Sequence, residues 1–232
     1  MHPGGGRSRI TWKYLDVPRP NTISTQKVND DSDIVPVRQS LRERLREATS
    51  REILAAAEQV FAEMGLERAA MAQIAERAGV AVGTLYNRFQ DREALLDALL
   101  SERRAELLDK LDAQIAALAQ ASFPEQLEGF FRVLFSHFQE HRAFLRLVFA
   151  CEVGKQEKRE EMSRALFQRV EHLFEQGRRE RALRKDPDHA LAVFLMAAAK
   201  GMLQREVYGL SALEPARAAE ALVKLFLEGA GP

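Results

Sequence analysis

Two stretches of this 232-residue chain group polar side chains able to bind a partner or an ion. The first is Gly83-Thr84-Leu85-Tyr86-Asn87-Arg88-Phe89. Read as a short helix, it turns Leu85 and Phe89 inward and leaves Thr84, Asn87 and Arg88 outward, with Tyr86 at the edge. Asn pairs bidentately with adenine and Arg with guanine. Thr and Tyr hydroxyls are good donors to phosphate. The second stretch is His137-Phe138-Gln139-Glu140-His141, an H-x-x-E-H order also used by zinc sites. Residues four apart share a helix face, so the two histidines could hold one metal. Downstream, Glu152, Glu160, Glu161 and Glu171 are all conceivable third ligands and none is distinctive. Both histidines sit at the edge of a Phe stripe, where a solvated or hydrogen-bonded His is ordinary. The sequence therefore assigns no metal, no cofactor and no catalytic residue.

Other reactive groups give less. Cys151 stands beside Phe149 and Ala150 and reads as a buried structural thiol. As the one cysteine it excludes an internal disulfide framework and a Cys-rich zinc module, and it fits a reducing, cytoplasmic compartment. His172 and His189 have no Ser or Cys partner at a recognisable spacing. No Gly-rich phosphate loop is present, which leaves nucleotide hydrolysis unsupported.

Charge narrows the partners. Lys plus Arg equals Asp plus Glu, 34 each, which excludes a generally basic protein that coats nucleic acid. A local basic face remains open, because a face can be positive while the sum is zero. Between Leu41 and Leu100 eight arginines stand against ten acids, a local net charge of −2. A DNA-facing patch must therefore come from spatial sorting. Arg42, Arg44, Arg46 and Arg51 form one cluster; Arg88 and Arg92 form another.

The segments that carry these groups read as helices. Residues 1–39 hold four of the eight prolines and no sustained period, and are expected to be a disordered or loosely attached arm. They carry no apolar signal segment, and the longest apolar run, Ala190 to Ala199, is half of what a membrane span needs. From Leu41 on, Ala, Leu, Glu, Arg and Gln dominate, and no Val/Ile/Thr alternation suggests a strand. A first helix is expected from about Thr49 to Met64. Its start could lie a few turns earlier, because Thr49-Ser50-Arg51-Glu52 and Ser40-Leu41-Arg42-Glu43 are both capping-box patterns. Short helices follow at about 71–77 and 82–89 around Gly79, then a long one capped by Asp91. Further helices are expected over about 124–141, with 142–153 as continuation or partner, and over 155–181, 187–208 and 215–228.

Two short helices about a tight turn, braced by a longer first helix, form the helix-turn-helix pattern. Taken alone, that pattern could equally be a three-helix packing unit. The full string is more specific. Arg51-Glu52-Ile53-Leu54-Ala55-Ala56-Ala57 through Phe61 and Gly65, then Ile74 to Phe89, then Arg92-Glu93-Ala94-Leu95-Leu96, resembles the N-terminal domain of the tetracycline-repressor (TetR) family. The resemblance covers about fifty residues. It implies a dimeric DNA-binding regulator with a ligand-sensing C-terminal domain. On this resemblance Thr84, Tyr86 and Arg92 are phosphate contacts, Gly83 permits close backbone approach to DNA, and Asn87 and Arg88 read sequence. Arg92 stands where the family usually has Lys. Ala70 and Ala81 stand where it usually has Thr and Ser, at helix N-caps whose loss costs about 1 kcal/mol each.

The expected fold class is all-α. Residues 40–95 form the helix-turn-helix DNA-binding domain, and residues 96–232 form a larger helical domain for ligand binding and dimerisation. Phe131, Phe135, Phe138, Leu145, Phe149, Phe167 and Phe174 are the expected lining of a pocket for a small hydrophobic ligand. Plain core packing is the other reading of such an aromatic stripe. The helix over 187–208 is apolar nearly all round and must be covered on every side. Leu195, Ala198, Met202, Leu222, Leu225 and Phe226 are the expected homodimer interface, against the alternative of one central buried helix. The function expected is a cytoplasmic, ligand-responsive regulator on a palindromic operator, with no membrane partner. Its expected sign is repression relieved by ligand, with activation left open. A helical ligand-binding or metal-dependent enzyme with a helix-turn-helix scaffold is the alternative. A DNA-binding dimer without ligand is a third reading.

Overall fold

The computed structural model describes residues 41–142, 156–183, 190–210, 212 and 214–230, except the side chains of Arg42, 156–159 and 230. Among them lie eight helices and no strand, the all-α class that the composition predicts. The helices are α1 (Leu41–Met64), α2 (Met71–Arg77), α3 (Val82–Tyr86), α4 (Arg92–Ala117), α5 (Phe123–Glu140), α6 (Gln156–Arg179), α7 (Ala190–Val207) and α8 (Pro215–Ala230). The expected arm over 1–39, together with Leu145, Phe149 and Cys151, lies outside the described residues.

Local chemistry explains the boundaries. The α1 helix takes the earlier of its two possible starts and runs straight through Thr49. There the Thr49 hydroxyl donates to the Leu45 carbonyl one turn back, at 2.8 Å, instead of capping a new helix. Gly65 ends α1 at φ +78°, and Gly79 turns the chain between α2 and α3 at φ +67°. Both are left-handed conformations that glycine takes without steric cost. Asp91 caps α4, its carboxylate accepting from the Ala94 N–H at 2.7 Å. Glu125 reaches back to the Ser122 N–H at 2.9 Å and accepts from the Ser122 hydroxyl at 2.6 Å, which fixes the start of α5. The expected helix over 82–89 stops at Tyr86, three residues early.

Packing sorts the helices into two hydrophobic clusters. Ile53, Ala57, Phe61, Ile74, Leu85, Leu95 and Leu99 belong to the first, which gathers α1, α2, α3 and the first half of α4. Leu107, Leu111, Phe123, Phe130, Phe131, Phe135, Phe174 and Leu195 belong to the second, which gathers the rest of α4 with α5 to α8. Among the described residues α4 alone supplies both clusters, so it is the rod on which both are built. At the second core the backbones come close. A Cβ on Gly177 would stand 2.8 Å from the Phe123 ring, so the small residue lets α6 lie against that ring.

Candidate nucleic-acid interface

The α3 helix is pinned by one side chain. Leu85 is fully buried in the first cluster, and Phe89 packs against that cluster from beyond the helix end. That anchoring turns Gly83, Tyr86 and Asn87 to solvent and leaves Thr84 half-buried. Among the described residues, nothing beyond its chain neighbours and its own helix turn lies within 4 Å of the point a Gly83 Cβ would occupy, so this edge of α3 is open to an approaching surface.

The two arginines expected beside Asn87 are placed differently. Helical spacing sends Arg88 outward. Instead α3 ends at Tyr86, and the Arg88 N–H bonds the Leu85 carbonyl three residues back, which tightens the turn. The half-buried Arg88 guanidinium then donates to the Arg46 carbonyl and the Ser50 hydroxyl, both at 2.8 Å. In this arrangement Arg88 braces α3 against α1. Arg92 donates to the carbonyls of Leu66 (2.6 Å) and Glu67 (2.8 Å), in the turn that follows α1. Here too the guanidinium is engaged by backbone acceptors.

The brace brings the arginine cluster to the same place. Arg46, Glu47, Ser50, Arg51, Leu54, Arg88 and Glu102 line one shallow cleft. Arg44, Arg46 and Arg51 are exposed on α1, and the Arg42 side chain lies outside the described set. Two acids of the same segment are paired elsewhere, whereas Glu47 lines the cleft and Glu43 and Glu52 are exposed on α1. Glu63 is held by a bidentate pair with Arg77 at 2.8–2.9 Å. Glu58, buried, pairs with Arg103 of α4 at 2.8 Å. Ala70 and Ala81 do occupy the N-caps of α2 and α3, and neither offers a side-chain cap. Gln73 supplies a partial substitute at α2, its carbonyl accepting from the Ala70 N–H at 3.1 Å.

In the second cluster the expected pocket residues are engaged with one another. Phe131, Phe135 and Phe174 are fully buried, and Phe138 and Phe167 pack at the margin. The Phe131 and Phe135 centroids lie 6.0 Å apart, and Phe174 stacks on Phe226 at 5.5 Å. The expected dimer residues divide. Leu195 and Leu222 belong to the chain's own core, and Met202 and Phe226 pack against it. Ala198 and Leu225 are exposed, as are Val193 and Phe194, the last at 71%. The reason is helical phase. Leu191, Ala192, Leu195, Ala199 and Leu203 make the inward stripe of α7, so the opposite stripe begins at 193 and 194.

One cluster is not legible from sequence. His137 is fully buried rather than at a solvated edge, and its ring lies 4.8 Å from that of His141. Glu106 of α4 completes the group, from the upstream side of the motif rather than from the downstream glutamates. Burial pushes His137 down to about 4, and the neighbouring His141 adds to the shift. Burial alone would raise Glu106, but hydrogen bonding to Lys110 and the charges of Lys110 and both histidines outweigh it and hold the carboxyl at about 2. Glu58 is likewise lowered against its burial, by His141 and Arg103.

Residues 53–99, which run from α1 into α4, match the family described as bacterial regulatory proteins, tetR family. The HTH-type transcriptional regulator BetI of Cronobacter sakazakii is 32% identical over 96 residues, covering 41% of this chain and 48% of that protein. The chain thus spans about half the length of the curated relatives it matches. Among solved structures, the fatty acid degradation regulator FadR from Bacillus halodurans gives a TM-score of 0.65 at 22% identity, over 77% of this chain and 98% of that one. The transcriptional regulator FadR from Bacillus subtilis, solved in complex with stearoyl-CoA, gives 0.66 at 20% identity with the same coverage. These two likenesses show the fold. Residues 53–99 thus carry the tetR-family match, and the likeness across the helices that follow shows the fold of such regulators.

Proposed function

We propose that the chain binds a palindromic operator as a homodimer through residues 40–95 and senses a small hydrophobic ligand through residues 96–232. The observation that carries the DNA reading is the outer face of α3. Gly83, Tyr86 and Asn87 are exposed above the fully buried Leu85, and exposed Arg46 and Arg51 line a cleft with Arg88, the residue after Asn87. A recognition helix needs such a thin, rigidly seated edge to enter the major groove. Asn87 reads a base edge. Tyr86 and Thr84 hold phosphates, Gly83 admits the backbone, and Arg44, Arg46, Arg51 and Arg42 supply the sequence-independent attraction. Arg88 and Arg92 act first as braces, and reach DNA only by exchanging carbonyl partners for phosphates.

The second copy covers the exposed stripe of α7 and α8. Val193, Phe194, Ala198 and Leu225 form an apolar surface that water leaves unfavourably solvated. Pairing these two helices with their copies gives two recognition helices related by a two-fold axis, the symmetry of a palindrome. The ligand reading rests on the aromatic lining and on the fold shared with a regulator solved with stearoyl-CoA. Because Phe131, Phe135 and Phe174 are fully buried, with Phe131 against Phe135 and Phe174 against Phe226, an acyl chain enters only by parting such rings. A ligand bound that way favours a conformation with a different spacing of the two α3 helices, and releases DNA by its differential affinity for the two states. The expected sign is repression relieved by ligand, in the cytoplasm. Among the described residues no helix is long and apolar enough to cross a membrane.

The test is the salt dependence of binding to duplex DNA. Replacing Arg42, Arg44 and Arg46 by Ala should weaken binding and reduce the salt slope by about one for each phosphate left without its arginine. An unchanged slope contradicts the arginine role. Stearoyl-CoA added to the complex should lower DNA affinity. No effect at saturating acyl-CoA would favour a DNA-binding dimer whose core admits no such ligand.

A further inference from the structure

We propose that Glu106, His137, Glu140 and His141 form a binding site for one divalent transition-metal ion of the zinc class, with Glu58 of α1 as its outer-shell support. Each of the four residues offers one ligand atom, and these atoms all lie within 4.8 Å of one another. The His141 Nε2 and the Glu106 Oε2 stand 3.6 Å apart. Ligand atoms on a tetrahedral ion with bonds of about 2.0–2.1 Å are separated by about 3.3–3.5 Å, so this pair is already near its metal-bound spacing. The remaining atoms need to close by about an ångström, which terminal rotations of Glu140 and His141 can supply.

The surroundings of His141 point the same way. Its Nδ1 lies 3.1 Å from the Glu58 carboxylate. With Nδ1–H donating there, the ring is held in the tautomer whose Nε2 lone pair faces Glu106. A carboxylate behind a histidine, fixing tautomer and orientation, is the usual outer shell of a metal-bound imidazole. Arg103 holds Glu58 in turn at 2.8–2.9 Å. His137, fully buried on the same face of α5, adds a second imidazole from a rigid position. Two imidazoles with carboxylate oxygens suit zinc, cobalt or nickel rather than magnesium or calcium.

A cation already uses part of this site. The Lys110 ammonium lies 3.0 Å from Glu106 and 2.9 Å from Glu140, and Arg103 lies 3.1 Å from Glu106. The metal therefore displaces Lys110 from between the two carboxylates. Its removal should tighten binding, a behaviour that a merely structural salt-bridge network has no reason to show.

The experiment uses the full chain, stripped with chelator and dialysed. Cobalt(II) is titrated in while its visible absorption bands are followed, with zinc competition for affinity. The expected result is one ion per chain at micromolar or lower Kd, with bands lost in His141→Ala and unchanged in Cys151→Ser. Glu58→Gln should weaken binding about 10–100-fold, and Lys110→Gln should tighten it. No bands with wild-type protein at millimolar cobalt, or bands that persist unchanged in His141→Ala, would overturn the site. If His141→Ala fails to give a cooperative melt, Lys110→Gln decides: affinity no higher than wild type counts against it.

Discussion

The α3 edge and the Glu106–His137–His141 cluster are both built from polar groups fixed by buried neighbours, but they are assembled over different ranges of chain. At α3 a single buried side chain, Leu85, sets the direction of Gly83, Tyr86 and Asn87, all within two residues of it. The cluster takes one group from α4, three from the last turn of α5 and its cap, and its outer support from α1. A surface of the first kind persists as long as one turn and one anchor persist. The second kind exists only when three helices dock, and it reports on their docking.

The largest expected effect separates the two cores. Phe135→Ala removes a fully buried ring from the second cluster and should cost about 3–5 kcal/mol, read as a lower denaturation midpoint. DNA affinity of the protein that remains folded should change far less, since α3 is seated in the first cluster. Equal losses in both would mean that the two clusters do not act separately.

Acid should act next, and on the docked cluster. His137 titrates near 4 when folded and near 6.5 when unfolded, so below about 6.5 the unfolded chain binds more protons. Stability of the metal-free protein should fall as pH drops from about 6.5 to 4. Glu106, held at about 2, contributes stability present above its unfolded value near 4.3 and lost as pH falls toward 2. His137→Leu should flatten the upper part of this loss. A profile between pH 6.5 and 4 that the substitution leaves untouched would deny the buried, neutral state of that ring.

Arg88→Ala distinguishes brace from reader. It leaves the Arg46 carbonyl and Ser50 without their partner and should lower stability by about 1 kcal/mol even without DNA. An unaltered melt would show that the link to α1 contributes nothing. Smaller still, Ala81→Ser restores a cap to α3 and should raise stability by up to about 1 kcal/mol while strengthening DNA binding. A loss of stability instead would show that the extended Ala81 backbone cannot use a hydroxyl.

What can be read from sequence follows the same division of range. The helix-turn-helix is legible because its signals are adjacent: Gly79 for the turn, Leu85 for the anchor, Asp91 for the next cap. The all-α class and most helix limits follow from periodicity and capping residues. Helical spacing misplaces Arg88 because it carries the period beyond Tyr86, where the helix has ended. It places Leu195 and Leu222 on the dimer surface because an all-apolar helix does not disclose which stripe its own chain covers. Glu106 escapes it because nothing near His137 in sequence marks the α4 residue that docks against it. The helix-turn-helix motif thus carries its own address, whereas the histidine cluster is addressed only by the fold.

On this reading α3 reads a two-fold symmetric DNA sequence. Selection from a random duplex library with the full chain, at a stated near-physiological salt, tests it most directly. A palindrome whose half-sites lie about one helical turn apart should be enriched, and Asn87→Ala should lose preference at one position of each half-site. Recovery of no common sequence, or of a single unrepeated half-site unaffected by Asn87→Ala, would contradict it.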